Sequence, residues 1–282
     1  MANATAKEIA NKTIEIATLP EITMKIVEVV QDPKSTAHDL HMIVSNDPAL
    51  SARVLRVVNS AFYGLPGQIG SIDRAIMLLG LNAVKNIAIA ASLSKMFKGQ
   101  SLSDDFTGKD LWTHSVSVGA ANKLITNAIG LALPDEAFLA GLIHDLGLVA
   151  LLQCFNDQIP EIIAKTKAGV TFRMAEEDVI GANHSEIGMA LAAKWKFPRS
   201  FQYVAGYHHN PLDLDKENRL LAIVTHIADI ISANQGFGIT ISAETETVSP
   251  EMMEEIGLSQ EMLDDVIANL EEELETVKAL IE

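Results

Sequence analysis

Cysteine is almost missing from this chain. Its 282 residues hold a single one, Cys154, which excludes an internal disulfide framework and fits a reducing compartment. Cys154 sits in the apolar run 148–155 and reads as a buried packing residue rather than a reactive thiol. Aromatic residues make up only 5%, so the core must be mostly aliphatic. Basic residues are also short, 21 Lys and Arg against 37 Asp and Glu, a net charge of −16. That balance repels a phosphate backbone and an anionic membrane surface, so direct nucleic-acid binding and membrane binding are not expected. The acids crowd into 243–282, where Lys278 is the only base, and this segment is expected to stay uncompensated. Residues 1–20 contain acids and no continuous apolar stretch, so they do not read as a secretory signal. No run approaches the ~20 apolar residues of a membrane span, on this reading. A cytoplasmic location is expected.

What is present is a helical pattern. Apolar residues recur at three-and-four spacing, as in Ile22, Ile26, Val29 and Val30, while two-residue alternation is hard to find. Asp47-Pro48 reads as a cap and first residue for a helix over 49–59, and Leu133-Pro134-Asp135 does the same for 136–154. Gly80 is placed to end a helix from about 72, with the next running over 81–97. The polar, turn-rich stretch between Phe97 and Gly108 and a Gly/Thr/Ser-rich stretch at 236–250 divide the chain into three parts. These are an N-terminal helical part (1–98), a histidine-rich helical part (105–236) and an acidic C-terminal tail (237–282). In the tail, Leu263, Val266, Ile267, Leu270, Leu274, Val277 and Leu280 form one stripe, which either packs on its own domain or faces a partner.

The eight histidines carry the chemistry. His144-Asp145 is embedded in an otherwise apolar helix, where two unpartnered polar side chains would cost several kcal/mol. A divalent metal would satisfy both, and so would a hydrogen-bonded His-Asp pair. His114 lies on the preceding helix, expected over 110–129, and a short turn at 130–134 makes the two helices antiparallel neighbours. The 30-residue separation then brings His114 within about a turn of the level of His144. His184 opens a helix, His208-His209 close another, and Asp229 lies inside a third. His226 shares a face with Asp229 and reads as solvated or packing, with a ligand role as the alternative, and His38 and His41 read as ordinary residues.

The ordered set His, His-Asp, His, His-His, Asp resembles the HD superfamily of metal-dependent phosphohydrolases. The resemblance implies one metal held by His114, His144, Asp145 and Asp229. It implies a second held by Asp145, His184, His208 and His209, with Asp145 bridging. Fe, Mn, Ni, Zn or Mg would suit, as two ions, one or none. In the first third, the stretch from Ser45-Asn-Asp-Pro-Ala-Leu to Asn-Ser-Ala-Phe-Tyr-Gly64, and Ser71-Ile-Asp-Arg-Ala-Ile-Met-Leu-Leu-Gly80, resemble the HDOD domain. This is the HD-related output domain of bacterial signalling proteins, and the resemblance covers roughly 19–233. It implies an all-α, multi-helix HD-like bundle with an N-terminal helical subdomain, acting by protein contacts with signalling proteins. Where the active phosphodiesterase branch reads His-Asp-x-Gly-Lys, this chain has Leu148 in place of the lysine, and a Gly-Tyr-Pro tripeptide is missing. The expected function is therefore a signalling output module with a retained or vestigial metal site. The alternatives are an active metal-dependent phosphohydrolase and a nucleotide or cyclic-dinucleotide sensor without turnover.

Overall fold

A computed structural model describes residues 19–32, 34–97, 101–103, 106–241 and 247–281. The expected readings of 1–18, of part of the 97–108 boundary and of part of the 236–250 boundary lie outside the described residues.

The chain is a succession of helices whose starts follow local capping chemistry. Helices α1 (Glu21–Gln31), α2 (Ala37–Ser45), α3 (Pro48–Val58), α4 (Ile72–Leu79) and α5 (Leu81–Leu93) form the N-terminal part. Thr36 and Asp39 make a reciprocal capping box at α2, and the Asp47 carboxylate accepts from the Leu50 amide at 2.9 Å at α3. Gly80, at φ 88°, ends α4 and opens α5, a conformation open to glycine at little cost. From Ala83 onward α5 is buried on every face, so it forms the spine of this part rather than a half-exposed surface helix. A small antiparallel ribbon, β1 (Ser101–Ser103) with β2 (Phe106–Thr107), precedes the histidine-rich part.

That part comprises α6 (Gly108–Ala128), α7 (Pro134–Ile143), α8 (Leu146–Cys154), α9 (Ile159–Lys167), α10 (Phe172–Val179), α11 (His184–Lys194), α12 (Arg199–Tyr207) and α13 (Leu220–Asn234). Then come α14 (Pro250–Ile256) and α15 (Gln260–Ile281). Helix α6 is the hub, packed on α7, α13 and α15. It meets α7 backbone to backbone: a Cβ on Gly141 would lie 2.5 Å from the Gly119 nitrogen. The Asn122 amide fastens the crossing, donating to the Ala137 carbonyl at 2.8 Å and to Thr225 Oγ1 at 3.0 Å. One apolar cluster runs from Leu19 to Val277, aliphatic as the composition requires.

Four expectations need correction. The helix expected over 136–154 is two helices, broken at His144-Asp145, where Asp145 leaves helical geometry at φ −98° and ψ 25°. By length and composition Pro134–Cys154 could cross a membrane, contrary to the reading that no run approaches a span, but 89% of its apolar window is buried inside the fold. Cys154 is half-buried rather than fully buried. The acidic tail is compensated in part: Glu255 accepts from Arg219 through both oxygens at 2.7 and 2.5 Å, and Glu273 accepts from Lys123 at 2.9 Å. Its apolar stripe, including Leu263, Val266, Leu270, Leu274 and Val277, is buried against α6 and α3, so it does not face a partner. The Leu280 side chain lies outside the described residues.

Candidate metal centre

Each element delivers its polar side chain to one point. His114 comes from α6, Asp229 from α13, His144 and Asp145 from the α7–α8 break, His184 from the first residue of α11, and His208 and His209 from the end of α12. The break at 144–145 matters because successive residues of a continuous helix point about 100° apart. Leaving helical geometry lets both neighbours face the same centre. All seven side chains are buried, six at 0–1% exposure and His209 at 5%.

The Asp145 carboxylate is the middle of the cluster. Three imidazole Nε2 atoms surround it: His144 at 3.2 Å, His208 at 3.5 Å and His184 at 3.6 Å. Asp229 Oδ1 lies 2.9 Å from His114 Nε2 and 3.9 Å from His144 Nε2. Three sets, His114/His144/Asp229, His144/Asp145/His208 and His184/His208/His209, each place their ligand atoms within 4.8 Å of one another. The structure thus brings together all seven residues singled out in the sequence and leaves His38 and His41 outside. His38 is exposed, and His41 Nδ1 pairs with Asp73 at 2.8 Å.

The second nitrogen of several rings is already committed. His144 Nδ1 donates to the Gly141 carbonyl at 2.6 Å, His208 Nδ1 to the Val204 carbonyl at 3.1 Å, and His184 Nδ1 to Glu176 Oε2 at 2.7 Å. Such bonds fix the tautomer and turn the Nε2 lone pair inward, as metal-bound histidines require. Despite the short distances, His144 Nε2, His208 Nε2, both Asp145 oxygens and Asp229 Oδ2 make no aligned hydrogen bond. Unsatisfied buried groups cost about 1–3 kcal/mol each, so five in one place demand a common partner. The Nε2 atoms of His184 and His209 face each other at 3.0 Å, which two lone pairs do not tolerate without a proton or a cation between them. The donor set fits a divalent metal.

Three contributors escaped the sequence reading. Glu176 is fully buried and accepts from both the His184 amide, at 3.1 Å, and its ring. The signal was available: with Phe172, Ala175 and Val179 it falls on the apolar stripe of α10, where an acid needs a reason. His226, read as solvated or packing, is 6% exposed and donates from Nδ1 to the His208 carbonyl at 2.7 Å, holding the turn that carries two of the histidines. Arg173, one helical turn before Glu176, also lies beside the cluster.

The family model for the HDOD domain matches residues 16–211, more than two thirds of the chain. The chain belongs to the HDOD domain family. An HDOD domain protein of unknown function from Geobacter sulfurreducens has the same fold, with a TM-score of 0.82 at 23% identity, covering 96% of this chain and 97% of that one. A Shewanella amazonensis protein described as a candidate phosphohydrolase gives 0.76 at 23%, with 96% and 97% covered. A candidate signal transduction protein from Marinobacter aquaeolei gives 0.77 at 22%, covering 96% of this chain and 60% of that one. An uncharacterized Treponema pallidum protein is 26% identical over 211 residues, 73% of this chain. The HDOD chain spans only 40% of that relative's length.

Protonation within the HDOD cluster is set by burial against charge. Burial works against a charged His144, yet Asp145 and Asp229 outweigh it and raise the ring to about 9. Burial dominates at His208 and, with the neighbouring rings, lowers it to about 4; it also lowers His209. In metal-free protein the fold favours charged His144, so that contribution is complete below about pH 6.5 and is lost as pH rises towards 9. The fold favours neutral His208, so stability is lost as pH falls from about 6.5 towards 4. Burial raises Glu176, a smaller effect that favours the acid side. Urea unfolding of chelator-treated protein from pH 5 to 9.5 should therefore show maximal stability near 6.5. Metal-loaded protein should lose the alkaline decline, since its histidines no longer carry the proton. A metal-free profile flat from 6.5 to 9 would contradict the assignment.

Glu176 should matter through His184 alone. Glu176→Gln is expected to weaken metal retention about tenfold and Glu176→Leu about a hundredfold, the range for lost partners of ligating histidines. Competition with a chromogenic chelator measures this.

Proposed function

We propose that this HDOD protein is a signal-transduction output module that acts through protein contacts and keeps a divalent-metal centre as an internal brace. The observation that carries this is the burial of the ligands: the side chain nearest the surface, His209, is 5% exposed. A phosphoester cannot reach donor atoms sealed at that level without rearrangement of the helices around them. Leu148, fully buried beside the centre, also offers no cation to a phosphate.

The residues that would hold metal are His114, His144 and Asp229 on one side of Asp145, His184, His208 and His209 on the other, and Asp145 itself between them. Bound ions would supply positive charge that neutralises Asp145 and Asp229 and Lewis acidity towards any oxygen admitted. The chain's own residues do the rest: Gly141 and Val204 carbonyls and Glu176 orient the rings, and α6, α7, α11, α12 and α13 are tied at one point.

The experiment is metal analysis and thermal unfolding of purified protein with and without chelator, beside assays of cyclic-dinucleotide and nucleotide hydrolysis with Mn or Fe. Bound metal, a lower Tm after chelation and no turnover are expected. Hydrolysis at a catalytic rate that disappears in Asp145→Ala would replace this reading with the second one, a metal-dependent phosphohydrolase. That reading is favoured by the Asp145 carboxylate lying between the His114/His144/Asp229 and His184/His208/His209 groups, 3.2–3.6 Å from one histidine of the first and two of the second, a layout that suits two-metal phosphoryl chemistry.

A further inference from the structure

A cavity of about 210 Å³ lies where the first turns of α7, α12 and α13 meet the turn between α6 and α7, and it contains none of the seven candidate metal ligands. Four leucines give it an apolar lining: Leu131 and Leu133 from the turn, Leu220 and Leu221 from the start of α13. Leu133 and Leu220 are 44% and 38% exposed, so the fold leaves two large apolar side chains from distant positions in water at one small cavity. That is a concave apolar site rather than a pair of isolated surface leucines.

The polar lining carries both signs. Arg199, the first residue of α12, lies over the Tyr203 ring, 5.3 Å from its centroid, and this contact holds the guanidinium at the cavity wall. None of the three helices that open here has a side-chain cap, so their first-turn amides add partial positive charge. Against these stand two carboxylates, Glu136 in the first turn of α7 and Glu217 just before α13. Among the described residues Arg199, Glu136 and Glu217 form no ion pair, with one another or with any other group. A simple anion would meet two carboxylates here, and a simple cation would meet Arg199 and three helix ends. A molecule that carries both charges a few bonds apart on an apolar body satisfies both signs and covers the leucines.

We propose that this cavity is a binding site for a free aliphatic amino acid. The carboxylate faces the Arg199 fork, which matches two oxygens at once, the ammonium faces Glu136 and Glu217, and the branched side chain lies on the leucines. The proposal stands apart from the output-module reading, since it requires neither a protein partner nor bound metal. It does give the site a place in the molecule's mechanics. Each of the three helices that begin at the cavity carries a candidate metal ligand nine or ten residues further on, His144, His208 and Asp229, about 14 Å along the axis at 1.5 Å per residue. An amino acid seated here touches the starts of three helices that reach the histidine cluster.

The test titrates full-length, metal-loaded protein calorimetrically with L-leucine and L-valine. Binding of at least one is expected. It should weaken about tenfold or more for 4-methylpentanoate, which lacks the ammonium, for leucinamide, which lacks the carboxylate, and for glycine, which lacks the side chain. Arg199→Gln should weaken it to a similar degree with Tm and metal content unchanged, because Arg199 is exposed and stacks only on Tyr203. Binding of neither amino acid, equal affinity for any of the three truncated ligands, or wild-type affinity in Arg199→Gln overturns the proposal. Should Arg199→Gln fail to fold, hydrogen exchange of the wild type decides in its place. L-leucine should slow exchange of the backbone amides in 131–136, 199–203 and 217–222, and unchanged rates in all three segments overturn the proposal.

Discussion

Asp145→Ala is expected to strip the protein of bound divalent metal and to lower its stability by about 3–5 kcal/mol, the cost of removing one partner from a buried charged set. Three imidazole Nε2 atoms lie within 3.2–3.6 Å of this carboxylate, one from the His114/His144/Asp229 group and two from the His184/His208/His209 group, so its loss touches both. In the wild type, metal at a thousand times its dissociation constant adds about 4 kcal/mol to stability. Chelation should therefore lower the wild-type Tm by many degrees and leave the already metal-free variant where it was. Asp229→Ala should be milder, since Asp229 serves only the side of His114 and His144. Metal-to-protein ratios and unfolding curves with and without chelator check the pair. A wild type indifferent to chelator, or an Asp145→Ala variant with wild-type metal content, would overturn the assignment.

Much of the frame behind that expectation was legible in residue order. Asp47-Pro48, Leu133-Pro134 and Gly80 act locally, through caps and a positive φ, and the helix boundaries fall within a few residues of where they point. The cluster was legible because histidine and aspartate inside apolar helices need a partner wherever the chain folds. The break at His144-Asp145 was not, because the apolar pattern runs unbroken across it and only the three-dimensional demand that both side chains face one centre interrupts the helix. His226 escaped for a related reason. Its bond to the His208 carbonyl crosses eighteen positions and depends on how α13 lies against the end of α12, which no periodicity encodes. Glu176 was readable, as an acid on a buried stripe, but the stripe is short and α10 contains other acids.

The charge surplus divides the same way. Acids of the C-terminal segment looked uncompensated in the sequence, yet Arg219 and Lys123 answer Glu255 and Glu273 from distant helices. Lys123 also donates to the Phe62 carbonyl at 3.1 Å, so it joins α15 to the loop after α3. Pairs at such sequence separation become visible only once the helices are packed.

Gly147→Ala should be severely damaging, and it tests the packing that presents His184. Gly147 lies in the first turn of α8, against the first residue of α11. A Cβ there would stand 1.8 Å from the His184 carbonyl oxygen and 2.6 Å from its carbon. Those are backbone atoms, and they cannot step aside freely. The Asn183–Glu186 capping box fixes this end of α11, and Glu176 holds both the amide and the ring of His184. Accommodating the methyl means separating α8 from α11, which pulls His184 away from Asp145. Overpacking a core typically costs 1–3 kcal/mol, and a collision with fixed backbone belongs at or above the top of that range. Gly188→Ala grades the effect: its Cβ would lie 3.2 Å from the Gly147 nitrogen, a contact a few tenths of an ångström of adjustment relieves. Gly70→Ala, with nothing within 4 Å, should change neither Tm nor metal content. Soluble yield, Tm and bound metal across the three variants should fall in the order Gly70, Gly188, Gly147. A Gly147→Ala protein with wild-type Tm and metal content would mean that α8 and α11 do not meet this closely, and that His184 is held by something other than their contact.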